Sequence, residues 1–214
     1  MDTTDFHLRW ALPEALRSWG QDAARLAELR ALASKPLDST RTLGALGSIV
    51  ASRLAREFNF GGPSFAISAE EASGLKALEV AVRALQQHEM DTALVTAIDL
   101  QGDPRSQDNL LRPQGQPRPF DPASSGSATG EGAVALVLKR LDDCTAEDKI
   151  YAIIRGYGTA TGGSPEEPTP SPEAQGLAVF RAHQEAGSHP SQVTYVEASG
   201  SGVPAEDEQE LAVL

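Results

Sequence analysis

The chain has 214 residues, and its 30 acidic against 18 basic side chains give a formal net charge of −12 at pH 7. This balance argues against nucleic acid or an anionic membrane surface as a partner, because both are bound through basic patches. No apolar run is long enough for a membrane span, the N-terminus has no signal-peptide pattern, and the single cysteine, Cys144, excludes an internal disulfide, so we expect a cytoplasmic protein.

The first half of the chain is predicted to be mostly helical. Apolar residues recur at helical spacing over residues 1–40, which we interpret as an N-terminal helical segment, and again from about 43 to 57. Gly61-Gly62-Pro63 interrupts this pattern, and a short strand is expected at 64–67. The clearest helix is predicted at 72–90, because its apolar residues form one stripe at spacings of three and four. These residues are Leu75, Leu78, Val82 and Leu85.

The second half alternates between strands and helices. Residues 91–100 form a continuous apolar run of the kind found in a strand that is buried on both faces. Residues 101–131 and 159–172 are rich in Pro, Gly and Ser and are expected to be loops. This alternation predicts an α/β fold with mainly parallel mixed sheets. The remaining predicted elements are strands at 133–139, 149–156 and 193–198 and helices at 174–186 and 206–214.

Three separated segments carry a family resemblance. The first is GGPSFAISAEEASGLKALEVAVRAL, from Gly61, and the second is RPFDPASSGSATGEGAVALVLKRLDD, from Arg118. The third is VTYVEASGSGVPAEDEQELAVL, from Val193. In this order and at this spacing, the segments resemble the β-ketoacyl synthases, which are condensing enzymes of the thiolase type.

The resemblance implies a fold and a domain organisation. The fold would be part of the thiolase-like α/β/α/β/α layered arrangement, in which the helix at 72–90 is buried at the centre. Residues 41–214 would form an incomplete synthase-like domain, with the core of its N-terminal half extending through about 148. Residues 149–214 would then be the start of its C-terminal half.

The resemblance also implies partners. Family members receive acyl chains on the phosphopantetheine of an acyl carrier protein, and no cofactor of its own is expected for this chain. They dimerise through the strand that precedes the nucleophile helix, which here is about 64–68. A homodimer, or a heterodimer with an active ketosynthase, is therefore expected.

The catalytic positions of the family are replaced in this sequence. Alignment of Gly62-Pro63-Ser64 places Glu71 at the nucleophilic cysteine, whose thiolate is stabilised by a helix N-terminus in the family. Alignment of Val196-Glu197-Ala198 places Ser199 at the first catalytic histidine, and serine lacks the proton affinity of imidazole near neutral pH. The second histidine of the family lies beyond residue 214. No catalytic residue is therefore assigned, and the sequence predicts a domain that does not condense acyl chains.

Such a pattern is typical of two family branches, the chain-length-factor subunits and the decarboxylating loading domains. The stretches ISAEEASGLKALE and EASGSGVPAEDEQE are most similar to the synthase-like domains of bacterial polyunsaturated-fatty-acid and polyketide synthases. The sequence thus indicates a pseudoenzyme with a structural, dimerisation or chain-length-factor role. The alternative is an acyltransferase or malonyl decarboxylase that acts through Glu71 or with residues of a partner.

Glu71 and Ser199 also admit structural interpretations. Ser68 and Glu71 fit a capping box at the start of the helix, with Ser68 at N-cap and Glu71 at N3. A buried Glu71 would instead act as an acid and donate a hydrogen bond, as glutamine does in loading domains. Ser199 is interpreted as a loop residue beside Gly200 or as a weak hydrogen-bond donor.

Other nucleophiles and ligands are not favoured by the sequence. Cys144 lies among acidic residues, which disfavour a reactive thiolate. No cluster of Cys and His has metal-ligand spacing. The remaining candidates are serines without a histidine placed by a motif and histidines expected at the surface, namely Ser64, Ser68, Ser73, His7, His88, His183 and His189.

Overall fold

The computed structural model describes residues 17–18, 20, 23–33, 38–44, 46–100, 115–126, 130–163 and 171–214. The chain divides into two compact units, residues 1–73 and 74–214. The helices are α1 (Ala23–Ala33), α2 (Ser39–Gly44), α3 (Ser48–Glu57), α4 (Ser73–Gln86), α5 (Pro172–Ala186) and α6 (Pro204–Val213). The strands are β1 (Thr92–Asp99) and β2 (Gly132–Lys139), and short 3-10 helices lie at Glu70–Ala72, Leu141–Asp143 and Pro190–Gln192. Predictions for residues 1–16, 101–114 and 164–170 lie outside the described residues.

The first unit contains α1, α2 and α3. The sequence predicts one helix over 43–57, but the structure has a break between α2 and α3. Glycine weakens a helix interior because of its backbone entropy, so Gly44 and Gly47 account for the break. None of the side chains described in this unit is buried, and the stacked rings of Phe58 and Phe60 are exposed. The core of the described molecule therefore lies in the second unit.

The core forms where α4 packs on β1. Ala81 and Leu85 of α4 are buried together with Ala93 and Val95 of β1. Spacings of four along a helix and two along a strand each place residues on one face, which is why these four side chains meet. Full burial of a Leu or Val side chain stabilises a fold by about 1.5–3 kcal/mol.

α4 is half-buried, whereas the resemblance implies a buried central helix over 72–90. The helix ends at Gln86 although the sequence predicts it to extend to residue 90, and Leu75 is 61% exposed. One face carries Lys76, Glu79 and Arg83, and Lys76 forms an ion pair with Glu79 at 2.6 Å. Burial of these charges would be costly, so this face of α4 stays accessible to water.

β1 and β2 form a two-stranded antiparallel ladder. Its pairs run from Thr92 with Lys139 to Asp99 with Gly132. The apolar runs predict both strands correctly and the α/β class is confirmed, but this pair is antiparallel where the sequence predicts mainly parallel strands. Parallel neighbours need a crossover connection, usually a helix, whereas a loop can join antiparallel strands. The loop-like composition of residues 101–131 is therefore consistent with the antiparallel pairing.

Three predicted strands form no ladder in the described part of the chain. A strand is assigned by hydrogen bonds to a neighbouring strand, and β1 with β2 is the only such pair among the described residues. Their apolar side chains are consequently left at the surface, as for Tyr151, which is 85% exposed, and Tyr195, which is 77% exposed. The three segments are 64–67, 149–156 and 193–198.

The segment at 156–162 instead lies directly against α5. A Cβ atom on Gly158 would lie 1.9 Å from the carbonyl oxygen of Ala178, and one on Gly156 would lie 2.2 Å from that of Ala182. Only glycine allows two stretches of main chain to approach this closely. The glycines therefore set the distance between this segment and α5.

α5 has a clear signal at each end. Ser171 is the N-cap, and its hydroxyl accepts a hydrogen bond from the N–H of Ala174 at 3.3 Å. Pro172 suits the first turn because a helix leaves that N–H unpaired in any case. Gly187 ends the helix in the left-handed conformation, with φ of 60°. α6 also begins with a proline, Pro204, but its N-cap residue Val203 makes no side-chain capping bond. The helices predicted in these two regions are confirmed.

Candidate functional site

The chain enters α4 through a tight turn that carries Glu71. Glu70 has φ of 53°, a left-handed conformation that is uncommon for a residue with a side chain. The hydroxyl of Ser73 accepts a hydrogen bond from the N–H of Ala69 at 2.9 Å and donates one to the carbonyl of Glu70 at 2.5 Å. These bonds hold the turn, and Glu71 lies in the single 3-10 turn that directly precedes α4.

The capping box predicted for Ser68 and Glu71 is wrong. The residue before the 3-10 turn is Ala69, and no side chain caps that turn. The left-handed Glu70 redirects the chain, so the hydroxyl of Ser73 bonds the main chain in place of Ser68. The side chain of Glu71 is exposed, and it therefore has neither the capping contact nor the burial that the acid interpretation requires.

Ser199 lies in a loop whose main chain is held by Glu210 of α6. The carboxylate of Glu210 accepts hydrogen bonds from the N–H groups of Ser199 at 2.7 Å and of Gly200 at 2.9 Å. Gly200 and Gly202 have φ of 55° and 76°, which glycine adopts at little steric cost. Consecutive N–H groups in such a turn form a concave site for an anion, and Glu210 fills it.

Asp207 is the only charged residue that is buried in the described part of the chain, with 3% exposure. Its carboxylate accepts hydrogen bonds from the N–H of Phe120 at 2.8 Å, the N–H of Gly202 at 3.2 Å and the hydroxyl of Ser201 at 3.2 Å. A buried carboxylate needs such bonds to offset its lost hydration. Asp207 thereby connects α6 both to the loop of Ser199 and to Phe120.

These contacts bring the second and third sequence motifs together in a loop junction, which we define as residues 117–126 and 199–207. The hydroxyl of Ser124 donates a hydrogen bond to the carbonyl of Gly202. A Cβ atom on Gly202 would lie 2.9 Å from the carbonyl oxygen of Gly126. The junction thus combines side-chain hydrogen bonds with main-chain contacts that only glycine permits.

The two positions that the motif alignment equates with catalytic residues of the family belong to different units, Glu71 to the first and Ser199 to the second. The motif alignment predicts both positions, but it does not reveal the carboxylates that hold the Ser199 loop. The spacing of Asp207 and Glu210 could have indicated that they act together, because residues three apart lie on one face of a helix.

A polar groove of about 530 Å³ lies between α4, residues 157–159 and α5. Arg83 of α4 forms a bidentate ion pair with Glu185 of α5, one branch of which measures 2.9 Å. The hydrogen bond from Arg83, together with one from the N–H of Tyr157, lowers the pKa of Glu185 to about 2. The groove has no net basic face for an acidic carrier protein, because its charged lining residues balance. They are Glu79, Arg83, Arg181 and Glu185.

Three other candidate side chains, those of Cys144, His183 and His189, have structural partners. Cys144 is half-buried, and its thiol donates a hydrogen bond to the carbonyl of Arg140 at 3.4 Å. The Nδ1 atom of His183 lies 3.0 Å from the hydroxyl of Ser188, just after the end of α5. His189 caps the 3-10 helix that follows it.

Two further findings concern the described residues as a set. They contain no group of three His, Cys, Asp or Glu side chains placed to hold a metal ion. No helix among them combines the length and the apolar character needed to cross a bilayer. His7 lies outside this part of the chain.

Comparison with known families tests the resemblance. The β-ketoacyl synthase N-terminal domain matches residues 16–144, and the β-ketoacyl synthase C-terminal domain matches residues 151–214. The first match begins inside the segment before residue 41, in which the sequence shows no recognisable motif. The chain belongs to the β-ketoacyl synthase family, as the three motifs indicate.

Curated relatives are large polyketide synthases. A mycocerosic acid synthase-like polyketide synthase of Mycolicibacterium smegmatis is 36% identical over 178 residues, which cover 80% of this chain and 8% of the relative. A highly reducing polyketide synthase of Alternaria alternata is 33% identical over 203 residues, which cover 92% of this chain and 8% of the relative. The chain thus spans less than a tenth of the length of these relatives.

Solved ketosynthase domains have the same fold. The ketosynthase from module 6 of the bacillaene synthase of Bacillus subtilis superposes with a TM-score of 0.73 at 33% identity, over 83% of this chain and 34% of that one. The ketosynthase from module 1 of the bacillaene synthase of Bacillus amyloliquefaciens gives a TM-score of 0.74 at 29% identity, over 86% and 36%. The thiolase-like fold is confirmed, and the chain corresponds to about a third of a ketosynthase structure.

Proposed function

We propose that this chain is a synthase-like domain of a polyketide or fatty-acid synthase that does not itself condense acyl chains. The observation that carries the proposal is the exposed carboxylate of Glu71 at the nucleophile position. A carboxylate can hold an acyl group only as a labile mixed anhydride, whereas a thiolate forms the thioester that condensation requires. Ser199, at the first histidine position, cannot serve as a base near neutral pH. The proposed role of the chain is therefore structural, in dimerisation or in setting the length of the acyl product.

The proposed partners are an active ketosynthase or a second copy of this chain, together with an acyl carrier protein, in the cytoplasm. The support comes from apolar side chains in and near the segment 64–68, at which family members pair. Phe58 is 60% exposed, Phe60 51% and Phe65 53%. Exposed apolar side chains in such number favour burial against another protein. A synthase for polyunsaturated fatty acids is the proposed setting, supported by the first and third motifs.

Malonyl decarboxylation or acyl transfer through Glu71 is the second candidate. The exposure of Glu71 supports acyl transfer, because its carboxylate is open to solvent, but it counts against decarboxylation by a buried acid. The absence of an imidazole at Ser199 counts against this candidate, since it removes a group that would stabilise the enolate.

The two candidates differ in what the chain does to a malonyl-loaded acyl carrier protein. From the chain alone, we expect no acyl adduct in intact-mass spectrometry and no release of CO2 above the rate in buffer. Addition of the chain to an active ketosynthase of the same type of synthase is expected to change the length distribution of the products.

A matched pair of variants shows whether any decarboxylation depends on Glu71. Glu70 and Glu71 are neighbouring exposed carboxylates, so Glu70→Gln controls for loss of charge at the turn. Decarboxylation by the chain alone that is lost in Glu71→Gln and kept in Glu70→Gln would overturn the proposal and establish the second candidate.

A further inference from the structure

We infer that the apolar face of α3 is a self-association surface, on which α3 of a second copy of this chain packs in the antiparallel direction. The inference rests on the proposed function for its dimerisation role, and it names the partner and a surface other than the segment 64–68. α3 lies wholly within the first unit, so the surface belongs to one compact part of the chain.

One face of α3 carries an apolar stripe, which we define as Val50, Ala51, Leu54 and Phe58. Residues three, four and seven apart lie on one face of a helix, and Phe58 continues the stripe directly after the last residue of α3. Val50 is 57% exposed and Phe58 is 60% exposed, and no residue of α3 is buried. The described part of the chain therefore leaves both ends of the stripe uncovered, and exposed apolar surface of this kind favours contact with another protein.

The side-chain sizes along the stripe suit an antiparallel copy. In a two-fold pair centred between Leu54 and Ala55, residues at equal distances from the centre of the two helices face each other. The ring of Phe58 then lies over the partner's Ala51, and the partner's Phe58 lies over Ala51. Packing of a large side chain on a small one lets two helices approach closely.

Arg53 and Glu57 give the pair its direction. They lie four residues apart on one edge of the stripe, both are exposed, and neither side chain has a hydrogen bond or ion pair among the described residues. In the antiparallel pair, Arg53 of each copy lies beside the partner's Glu57, which gives two ion pairs related by the two-fold axis. A parallel copy would instead place Arg53 beside the partner's Arg53, and like charges repel. The charges therefore fit a second copy in one direction only.

The distribution of charge along the chain permits this contact. A net charge of −12 opposes the association of two copies. Residues 1–73, however, hold nine acidic and eight basic side chains, against 30 and 18 in the whole chain. The first unit is therefore close to neutral, and most of the repulsion between two copies comes from the second unit.

Sedimentation equilibrium of the chain alone tests the contact. Arg53→Glu and Glu57→Arg each place like charges at both ion pairs, so each variant is expected to raise the dissociation constant of the dimer by about tenfold or more. Arg56→Glu makes the same change of charge on the opposite face of α3 and should associate like wild type. All three positions are exposed, so these substitutions leave the fold intact.

A mixture of the two charge variants shows whether the contact joins two chains. An equimolar mixture of Arg53→Glu and Glu57→Arg places opposite charges at both ion pairs and is expected to form a heterodimer with nearly the affinity of the wild-type dimer. The double variant, with both substitutions in one chain, should likewise associate like wild type. A defect in the folding of either single variant could not give this recovery on mixing.

The outcomes distinguish this inference from the proposed function. A wild type that stays monomeric, a mixture that does not associate, or an Arg56→Glu variant that weakens association as much as Arg53→Glu would each overturn the inference. A dimer that none of the three substitutions affects would also overturn it and would leave the proposed dimerisation role intact. Recovery on mixing would establish the α3 contact, even if the chain alone released CO2 through Glu71 and the proposed function failed.

Discussion

Glu71 and Ser199, the residues that the motif alignment equates with catalytic positions of the family, both have exposed side chains on a constrained main chain. Glu71 follows the left-handed Glu70, whose carbonyl is bonded by Ser73. The N–H of Ser199 is bonded by Glu210. In both places the constraint comes from neighbouring residues, so a change of side chain at position 71 or 199 alters the chemistry and leaves the main chain as it is.

The sequence predicts the aligned positions themselves but not the neighbouring residues that hold their main chain. Motif alignment predicts positions 71 and 199 because it needs only the order of residues along the chain. It could not predict that Asp207 binds the N–H of Phe120, which lies 87 residues earlier, because that pairing depends on how two loops pack. It also placed Ser68 in a cap, since the left-handed conformation of Glu70 has no signature in the sequence.

Glu185 gives a prediction about pH. The pKa of Glu185 is about 2 in the folded chain, against an ordinary value of 4.5. The ionised carboxylate therefore stabilises the fold at pH values above 4.5, and this stabilisation is lost as the pH falls toward 2. Glu185→Gln is therefore expected to unfold at a lower urea concentration than wild type at pH 7. The difference between the two urea midpoints is expected to shrink as the pH falls toward 2. Urea midpoints from about pH 7 to pH 2 measure this, with exposed Glu89→Gln as control. If the urea midpoints of wild type and Glu185→Gln differed by the same amount at every pH, the stabilisation would not come from the ionised carboxylate of Glu185.

Gly158 gives a prediction about packing. A Cβ atom there would lie 1.9 Å from the carbonyl oxygen of Ala178, so Gly158→Ala must displace α5. We expect a loss of about 1–3 kcal/mol in the free energy of unfolding, as for other overpacked sites. Gly132→Ala is the control, because a Cβ atom at Gly132 would meet nothing within 4 Å. Equal melting temperatures for the two variants would show that the segment does not lie against α5.

Among the elements, those with a strong local signal are the ones that the sequence predicts correctly. β1 and β2 are apolar runs, and α5 carries Pro172 at its start and Gly187 just after its end. The segments 149–156 and 193–198 are equally apolar but form no ladder among the described residues. An apolar run indicates that a segment can be a strand, whereas pairing requires a neighbour that its own sequence does not contain.

Arg140, just after β2, gives a prediction about the end of α4. Its guanidinium donates hydrogen bonds to the carbonyls of Leu85 at 3.0 Å and Met90 at 2.5 Å and pairs with Asp91 at 2.6 Å. Cations that bond the last carbonyls of a helix stabilise its C-terminus. Arg140→Leu should lower the melting temperature by on the order of 5 °C, because two carbonyls lose their partner.

A conservative variant separates geometry from charge at this position. Arg140→Lys keeps the positive charge but cannot reach both carbonyls and Asp91 together, since an ammonium group is a compact donor on one stem. It is expected to melt between wild type and Arg140→Leu in circular dichroism. A melting temperature equal to that of wild type would show that charge alone accounts for the contribution of Arg140.

For the molecule as a whole, exposed apolar surface is the dominant property. The described side chains of the first unit include none that is buried, and in the second unit Tyr151 and Tyr195 are 85% and 77% exposed. We expect the isolated chain to bind the dye anilinonaphthalene sulfonate and to associate in sedimentation velocity experiments. Tyr151→Ser with Tyr195→Ser should reduce both signals. A monomer that binds no dye would contradict the view that these surfaces meet a partner.

The bond between Asp207 and Phe120 has a consequence for biosynthesis. A ribosome adds about 5–20 residues per second, so the 87 residues between donor and acceptor take about 4–17 s to appear. During that interval residue 120 has been synthesised while the carboxylate that orders its loop does not yet exist. Nascent chains stalled before residue 207 and longer ones in which residue 207 has left the ribosomal exit tunnel should therefore differ in protease sensitivity near residue 120. The loop junction should be among the last parts of the second unit to form.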